Sequence, residues 1–488
     1  MRLTQLINAL GDFKLYSDAG DFKVRGISCN SKNIGEDFIF IAVKGTKADG
    51  NKFIQEALSK GAKAVIFEAR QSTVQRKEKV TWISVLDSRI ALAKLAALFY
   101  GNPSSKMRVT GITGTNGKTT TAYLIEAILK KINFVPGVVG TINYRFKDKV
   151  FPSTNTTPGP IELQSILAQM FKEGVDYCVM EASSHGLDQS RTEGINFSSA
   201  IFTNLTQDHL DYHKTLEKYF KAKALLFKNL KKTSFAVINC DDEYARKIKK
   251  ITRAKIITYG IQSQADINAK DIKMEISHTQ FAVCSTNYKA LFKTRLIGIH
   301  NVYNMLAAFA WAKQEGLDLE AVKQALEDFS FVPGRLERIE SNRDFSVFVD
   351  YAHTEDALKN VLNSLRQIST KKIIVVFGCG GERDKTKRPK MGCVVSTLAD
   401  FAIITNDNPR CEDPDEIISD IKKGINNDNF CVIPERFEAI RKSLSLAKSG
   451  DVVLVAGKGH ENYQIFKDKV IHFDDCEVVR QCLKLPSY

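Results

Sequence analysis

The sequence predicts an α/β fold in three domains: an N-terminal mixed α/β domain, a central mainly parallel sheet covered by helices, and a C-terminal Rossmann-like domain. Three observations carry that expectation. A chain of 488 residues is too long for one hydrophobic core, since cores stop growing at about 250–300 residues. From residue 106 onward, apolar β-branched runs alternate with helix-like stretches, which is the grammar of strand–helix–strand crossovers. One glycine-rich loop lies between such a run and a helix, the order a phosphate-binding unit requires.

The elements follow in order. In the first domain (1–102), 37–43 and 64–67 read as strands and 53–60 and 88–100 as helices, the last ending at the turn Gly101, Asn102, Pro103. The second domain (103–333) opens with a strand at 106–112, the glycine loop and a helix at 119–131. Strands at 177–181, 199–202, 235–238 and 255–259 and a helix at 301–315 follow, and the domain closes near Pro333 and Gly334. The third (334–488) repeats the pattern with strands at 373–377, 401–404 and 452–456.

Composition narrows the class. With 43% hydrophobic and 26% charged residues the chain is ordinary globular protein. No apolar run approaches the roughly 20 residues of a membrane span, and the N-terminus lacks a signal-peptide core. Ten cysteines (29, 178, 240, 284, 379, 393, 411, 431, 476 and 482) form no CxxC pair. Reduced, buried thiols in a cytosolic protein are expected. The formal charge of +14 comes without a nucleic-acid-binding signature, and a basic background also suits multiply anionic small molecules.

The loop itself is Gly114, Thr115, Asn116, Gly117, Lys118, Thr119 and Thr120. Its glycines let backbone N–H groups turn toward a phosphate, the helix N-terminus adds partial positive charge, and Lys118 adds a full one. The hydroxyl of Thr119 or Thr120 suits Mg²⁺. A standard Walker A loop would need glycine at Ile112. Glu181 ends an apolar strand, where a carboxylate needs a partner such as a metal. His209 lies just beyond another strand's C-terminal end, where such sheets carry ligands. Asn301 and Asn304, three apart, either face one ligand together or cap their helix. Lys223, read alone, is one of several lysines on the solvated face of a helix.

Residues 113–120 resemble the nucleotide loop of the Mur ligase superfamily, which also includes folylpolyglutamate synthase. The likeness continues in order through Asn155–Pro158, Met180–Gly186, Asn204–His213, Asp350–His353, Gly378–Arg388, Asp407–Arg410 and Gly457–Glu461. The resemblance implies an ATP-dependent acid–amino-acid ligase of peptidoglycan precursor synthesis. The segments are similar to those of members that add meso-diaminopimelate to the D-glutamate side chain of UDP-N-acetylmuramoyl-L-alanyl-D-glutamate through an acyl phosphate. It further implies ATP as co-substrate, two Mg²⁺ ions, and a cytoplasmic monomer without nucleic-acid or membrane partners. A lysine-adding homologue stands as the near alternative, and a P-loop nucleotide switch or nucleic-acid motor as the distant one.

By the same resemblance Lys118, Glu181, His209 and Lys223 are catalytic, with Thr119, Thr120, Glu181, His209 and a carbamylated Lys223 around the metals. Lys221 lies close enough to confuse the match, and the run from Ala222 to Leu226 favours Lys223. Asn301, Asn304, Arg335 and Asp350 join the loop in binding ATP. Ser31, Thr46, Lys47, Ala48, Asn155, Thr156, Thr157, Ser183, Gln189 and Arg191 are implied for the UDP-muramoyl dipeptide. Asn30, Lys32 and Asn51 depart from the family's usual residues in the first domain. Arg383, Asp407, Asn408, Pro409, Arg410, Gly457 and Glu461 are implied for the amino acid. There an arginine grips a carboxylate that lysine lacks.

Overall fold

The computed structural model describes residues 1–45, 48–68 and 79–484. Among these residues three main sheets follow one another along the chain. The first has five strands in the order Phe13–Ser17, Thr81–Val85, Ala62–Glu68, Phe38–Ile41 and Gly26–Ser28. Only the Phe13–Ser17 edge runs antiparallel.

The central sheet has eleven strands. Its middle is parallel: Ile267–Met274, Lys255–Gly260, Phe235–Asn239, Ser199–Phe202, Arg108–Thr113, Tyr177–Glu181 and Pro136–Val139. Its inner strands are apolar because helices cover both faces, whereas Ile267–Met274 leaves Lys270, Asp271 and Lys273 exposed. Lys118–Lys131 and Ile299–Glu315 pack in one core, and Pro160–Lys172 and Leu216–Lys228 in the other. Ile125, Leu306 and Phe309 are fully buried, each stabilising by about 1.5–3 kcal/mol. The indole N–H of Trp311 donates to Thr110 Oγ1 and Ser199 Oγ, both at 3.1 Å, tying its helix to two strands.

Antiparallel additions flank the parallel middle: Asn143–Phe146 with Lys149–Pro152 at one edge, Thr279–Ser285 with Tyr288–Thr294 at the other. The third sheet runs Glu337–Ile339, Ser346–Asp350, Val452–Ala456, Ile373–Phe377, Phe401–Ile404 and Phe430–Val432, parallel except for its first pair. The short hairpin Tyr463–Ile465/Val470–His472 stands beside it.

Parallel sheets collect their loops at the C-terminal ends of the strands. In the central sheet those ends bring together the phosphate loop, Glu181, Thr203 and Asn204. In the third they bring together Asp350, Gly378, Asp407 and Gly457. Both edges open on the same cleft.

None of the described helices is long and apolar enough to cross a membrane. All ten cysteines are unpaired, but the expectation of buried thiols holds only in part. Cys178, Cys379, Cys476 and Cys482 are buried, whereas Cys29, Cys393 and Cys411 are exposed. Cys393 lies on the outer face of the helix Lys387–Leu398, and Cys29 and Cys411 lie in loops.

Candidate active site

The phosphate loop is held by backbone and amide contacts. Asn204 accepts the Asn116 N–H on its side-chain oxygen at 2.9 Å and donates to the Asn116 carbonyl at 3.2 Å. Thr203 Oγ1 donates to the same carbonyl at 2.6 Å. Gly117 has φ 88°, and a Cβ there would stand 2.4 Å from Asn304 Oδ1, so only glycine fits. Lys118 begins the helix and its Nζ donates back to the carbonyls of Gly114 and Thr115, both at 2.9 Å. Burial lowers its pKa, opposed by Glu181 and Asp208.

Glu181 is buried at the end of its strand. Its carboxylate accepts from Thr119 Oγ1 at 3.0 Å, and from Thr141 N–H and Oγ1, each at 2.9 Å. Thr119, and not Thr120, is therefore its phosphate-loop partner among the described residues. An anionic oxygen beside a hydroxyl, with no cation hydrogen-bonded to it, is a hard donor set that fits Mg²⁺. Thr141 Oγ1 also lies 3.1 Å from Thr156 Oγ1, linking this carboxylate to the Asn155–Thr157 segment.

Lys223 departs from the solvated reading: it is 1% exposed, whereas Lys221 is exposed. Its helix presents this side chain to the loop, where Nζ donates to the Gly114 carbonyl at 2.7 Å. The Tyr219 ring lies 4.5 Å from Nζ. Burial, reinforced by Lys118, holds its pKa well below the usual lysine value. His209, with φ 53°, opens the helix Leu210–His213. Desolvation in the cleft lowers its imidazole to about 4 in spite of Asp208, 3.4 Å away, while 44% of the side chain stays exposed. The rings of His185 and Tyr219 lie against it, and the His213 ring lies against both of those.

Asn301 and Asn304 are buried side by side: Asn304 Nδ2 donates to Asn301 Oδ1 at 3.1 Å, and Asn301 Nδ2 to the Ile297 carbonyl at 2.8 Å. Gly298 holds the N-cap, so Asn301 does not cap its helix. From the third domain, the Arg335 guanidinium lies 4.5 Å over the Tyr351 ring and its Nη2 is 3.5 Å from Thr119 Oγ1. Asp350 is buried, accepting the N–H groups of Leu336 and Ala352 at 2.6 and 2.7 Å. Asp356 Oδ2 accepts from Asn116 Nδ2 at 3.0 Å and Thr206 Oγ1 at 2.9 Å, joining the third domain to the phosphate loop.

Two adjoining cavities occupy the cleft. The first, about 670 Å³, is lined by Thr115–Thr120, Glu181, Lys223, Asn301, Asn304, Arg335 and Asp350. The second, about 690 Å³, is lined by Asn155, Arg191, Arg383, Asp407, Asn408, Arg410, Gly457 and Glu461. Thr156, Ser183, Asp208, His209, His353 and Asp356 border both.

Arg410, at φ 56°, donates its N–H to the Ile465 carbonyl and Nη1 to the Gly381 carbonyl at 2.7 Å. Asn408 Nδ2 donates to Glu461 Oε2 at 2.8 Å. Behind both loops lies a fully buried ion pair, Arg436 with Asp475, at 2.7 Å. The same guanidinium donates to the carbonyls of Asn406 and Ala456, each just before a pocket loop.

Other expected residues sit apart or behind. Thr157, Gln189 and Pro409 line neither cavity. Thr157 Oγ1 instead pairs with the Glu181 carbonyl, and Gln189 Oε1 accepts from Arg191. Ser31, bonded to Glu56 at 2.8 Å, and exposed Ala48 belong to the first domain, away from both cavities. Thr46 and Lys47 lie outside the described residues. Thr141, Asn204 and Asp356 were not singled out by sequence. Asn204 and Asp356 fall inside or just after segments quoted above, whereas nothing around Thr141 signals its contact with Glu181.

A phosphate loop facing a second cavity across a shared wall fits an ATP-using ligase, and the chain belongs to the Mur ligase family. Residues 23–100 match the Mur ligase family catalytic domain, 112–312 the middle domain and 334–459 the glutamate ligase domain. The chain is 45% identical over 464 residues to the UDP-N-acetylmuramoyl-L-alanyl-D-glutamate–2,6-diaminopimelate ligase of Clostridium botulinum, covering 95% of each. It is 44% identical over 488 residues to ligase 1 of the same description from Clostridium acetobutylicum, covering 99% of each. A solved structure of a ligase of that description superimposes with a TM-score of 0.68 at 34% identity, over 94% of each chain. Folylpolyglutamate synthase of Mycobacterium tuberculosis, solved with ADP, shares the fold at 16% identity, with a TM-score of 0.67 over 83% of this chain and 96% of that one.

Proposed function

We propose that this ligase joins meso-diaminopimelate to the D-glutamate side-chain carboxylate of UDP-N-acetylmuramoyl-L-alanyl-D-glutamate, using ATP. The observation that carries the reading is the pairing of Arg410 and Glu461 in one cavity. Together they offer a guanidinium for a carboxylate and a carboxylate for an ammonium, the two charges of an amino-acid head. Lysine has no second carboxylate and would leave the arginine without its anion.

The substrate carboxylate attacks the γ-phosphorus of ATP, ADP leaves, and the amine then attacks the acyl carbon and expels phosphate. Two anions meet in the first step, so charge neutralisation matters more than a strong base. Lys118 and the loop N–H groups hold the phosphates. Asn301 and Asn304 with Arg335 and Asp350 hold the remainder of the nucleotide. Asn155, Thr156, Ser183 and Arg191 orient the acceptor, with Ser31 and 46–48 at its uridine end.

When bound, Mg²⁺ would supply positive charge to offset the meeting anions. Thr119 and Glu181 would hold one ion. His209 and Lys223 would serve a second only if Lys223 carries a carbamate, which turns an amine into an oxygen anion. The low amine pKa at Lys223 supports that reaction, because the neutral amine is the form that takes up CO₂. The enzyme acts as a cytoplasmic monomer, with domains dividing near residues 102 and 333.

The test is phosphate release from ATP with Mg²⁺ and the UDP-muramoyl dipeptide, with meso-diaminopimelate or lysine supplied separately. Release that depends on diaminopimelate and is at least 10³-fold weaker with lysine, on the order expected for a missing buried ion-pair partner, is the expected result. Amino-acid-independent release, or none, rejects the reading, and equal rates reject the role of Arg410.

A further inference from the structure

The Gly457–Glu461 turn contains a lysine that the site described so far does not use. Lys458 is 0% exposed and lies behind the wall of the second cavity rather than on it. Its Nζ stands 3.3 Å from Asn408 Oδ1 and 3.3 Å from Glu461 Oε2, and 5.5 Å from the Tyr463 ring centre. A buried ammonium is costly unless paired, and the partners of this one are two residues assigned to the amino acid.

The contacts form a chain of command. Asn408 Oδ1 accepts from Lys458 and from the Ile465 N–H at 3.0 Å. Its amide is thereby oriented with Nδ2 toward Glu461 Oε2, 2.8 Å away. Both neighbours of Glu461 hold Oε2, and Oε1 carries no hydrogen bond among the described residues. The carboxylate is clamped by one oxygen with the other left for a ligand.

Charge gives the clamp a second effect. Lys458 sets one positive charge beside Glu461, behind a cavity whose lining carries charged groups of both signs. An attacking amine must be uncharged. A diamino acid with two carboxylates, one ammonium and one free amine then carries one negative charge, while lysine in the same state carries none. Loss of the Lys458 charge disfavours the more anionic amino acid relative to lysine.

We propose that Lys458 is a specificity-determining residue that acts through Glu461, fixing its carboxylate and supplying the cation that favours a diamino acid with two carboxylates. This rests on the function proposed above and names a determinant distinct from Arg410. It is a positioning residue, since it lies behind the wall.

The full chain is assayed by phosphate release, as the unsubstituted protein, Lys458→Met, Glu461→Gln and the double variant. For Lys458→Met, KM for diaminopimelate is expected to rise on the order of tenfold or more. Its kcat and its KM for ATP stay within about threefold, and the ratio of diaminopimelate to lysine turnover falls. The double variant should be no worse than the poorer single one, because the two side chains act as a unit. Lys458→Gln, uncharged but able to donate to Asn408, isolates the charge: the ratio of diaminopimelate to lysine turnover should still fall where Lys458→Met does not fold. An unchanged KM, equal losses with both amino acids, or additive losses in the double variant each overturn the proposal. If the unsubstituted chain turns over diaminopimelate, any of those results condemns Lys458 alone; if it does not, the functional reading falls with it.

Discussion

Lys118 and Lys223 place their Nζ atoms on one acceptor, the carbonyl oxygen of Gly114, at 2.9 and 2.7 Å. Two buried ammonium groups so close disfavour each other's charge. Burial is the larger cause of the depressed Lys223 amine and Lys118 the second, with Asp208 opposing. Lys223→Ala should therefore cut turnover on the order of 10²-fold or more, and added bicarbonate should not restore it. Lys221→Ala, on the exposed side of the same helix, should stay near normal. Near-normal phosphate release by the Lys223 variant would show that this amine takes no part.

Thr141 donates twice to Glu181 and reaches Thr156. Thr141→Val keeps the backbone N–H and removes only the hydroxyl. The Mg²⁺ concentration for half-maximal activity should rise about tenfold, as when a group orienting a metal ligand is lost. Circular dichroism should be unchanged. An unaltered Mg²⁺ titration would detach Thr141 from the metal.

Asp356 is the third domain's contact with Asn116 and Thr206. Removing it in Asp356→Ala should loosen both partners at once. Amide hydrogen exchange is expected to quicken in 114–117 and in 355–360 together, with a lower kcat. Faster exchange in only one segment would mean that the carboxylate does not join the domains.

Asp241 carries a pH dependence. Burial raises its pKa, but the N–H groups of Gln262 and Ile261, the Tyr303 hydroxyl and Ser263 outweigh that and bring it down to about 2. Its folded value lies below the ordinary 3.8, so its contribution to stability is complete above that value and is lost as pH falls toward about 2. Asp241→Asn should lower the melting temperature at pH 7 and flatten its fall between about pH 4 and 2. Parallel melting curves for both proteins across that range would rule the carboxylate out.

The legible parts of the fold were those with one dominant physical cause. Strands at Tyr177–Glu181, Ser199–Phe202, Ile373–Phe377, Phe401–Ile404 and Val452–Ala456 have the bounds expected from sequence, because two-sided burial makes each an unbroken apolar run. The flanking Lys149–Pro152 and Tyr288–Thr294 strands are not read from the sequence: the first is largely solvent-facing, and the second mixes exposed lysines with buried Phe292 and Thr294. In the site, glycine and lysine spacing announced the phosphate loop. The burial of Lys223 is a tertiary fact: its helix shows several lysines and only packing decides which one turns inward. Thr141, Asp356 and Lys458 each work through a few side-chain hydrogen bonds, most of them to residues far away in sequence, and such contacts leave no period or spacing to read.

The Arg436–Asp475 pair joins the carbonyls of Asn406 and Ala456 to the helix Asp475–Lys484. The walls of the second cavity thus hang from a tether whose far end belongs to a helix that lines neither cavity. Loss of Asp475 would strand a buried guanidinium at a cost of about 3–5 kcal/mol, and the strain would arrive at the ends of the two strands that aim Asp407 and Gly457. The shape of the second cavity is therefore answerable to a helix that does not border it: a change at Asp475 would reach the cavity while every lining residue stays the same.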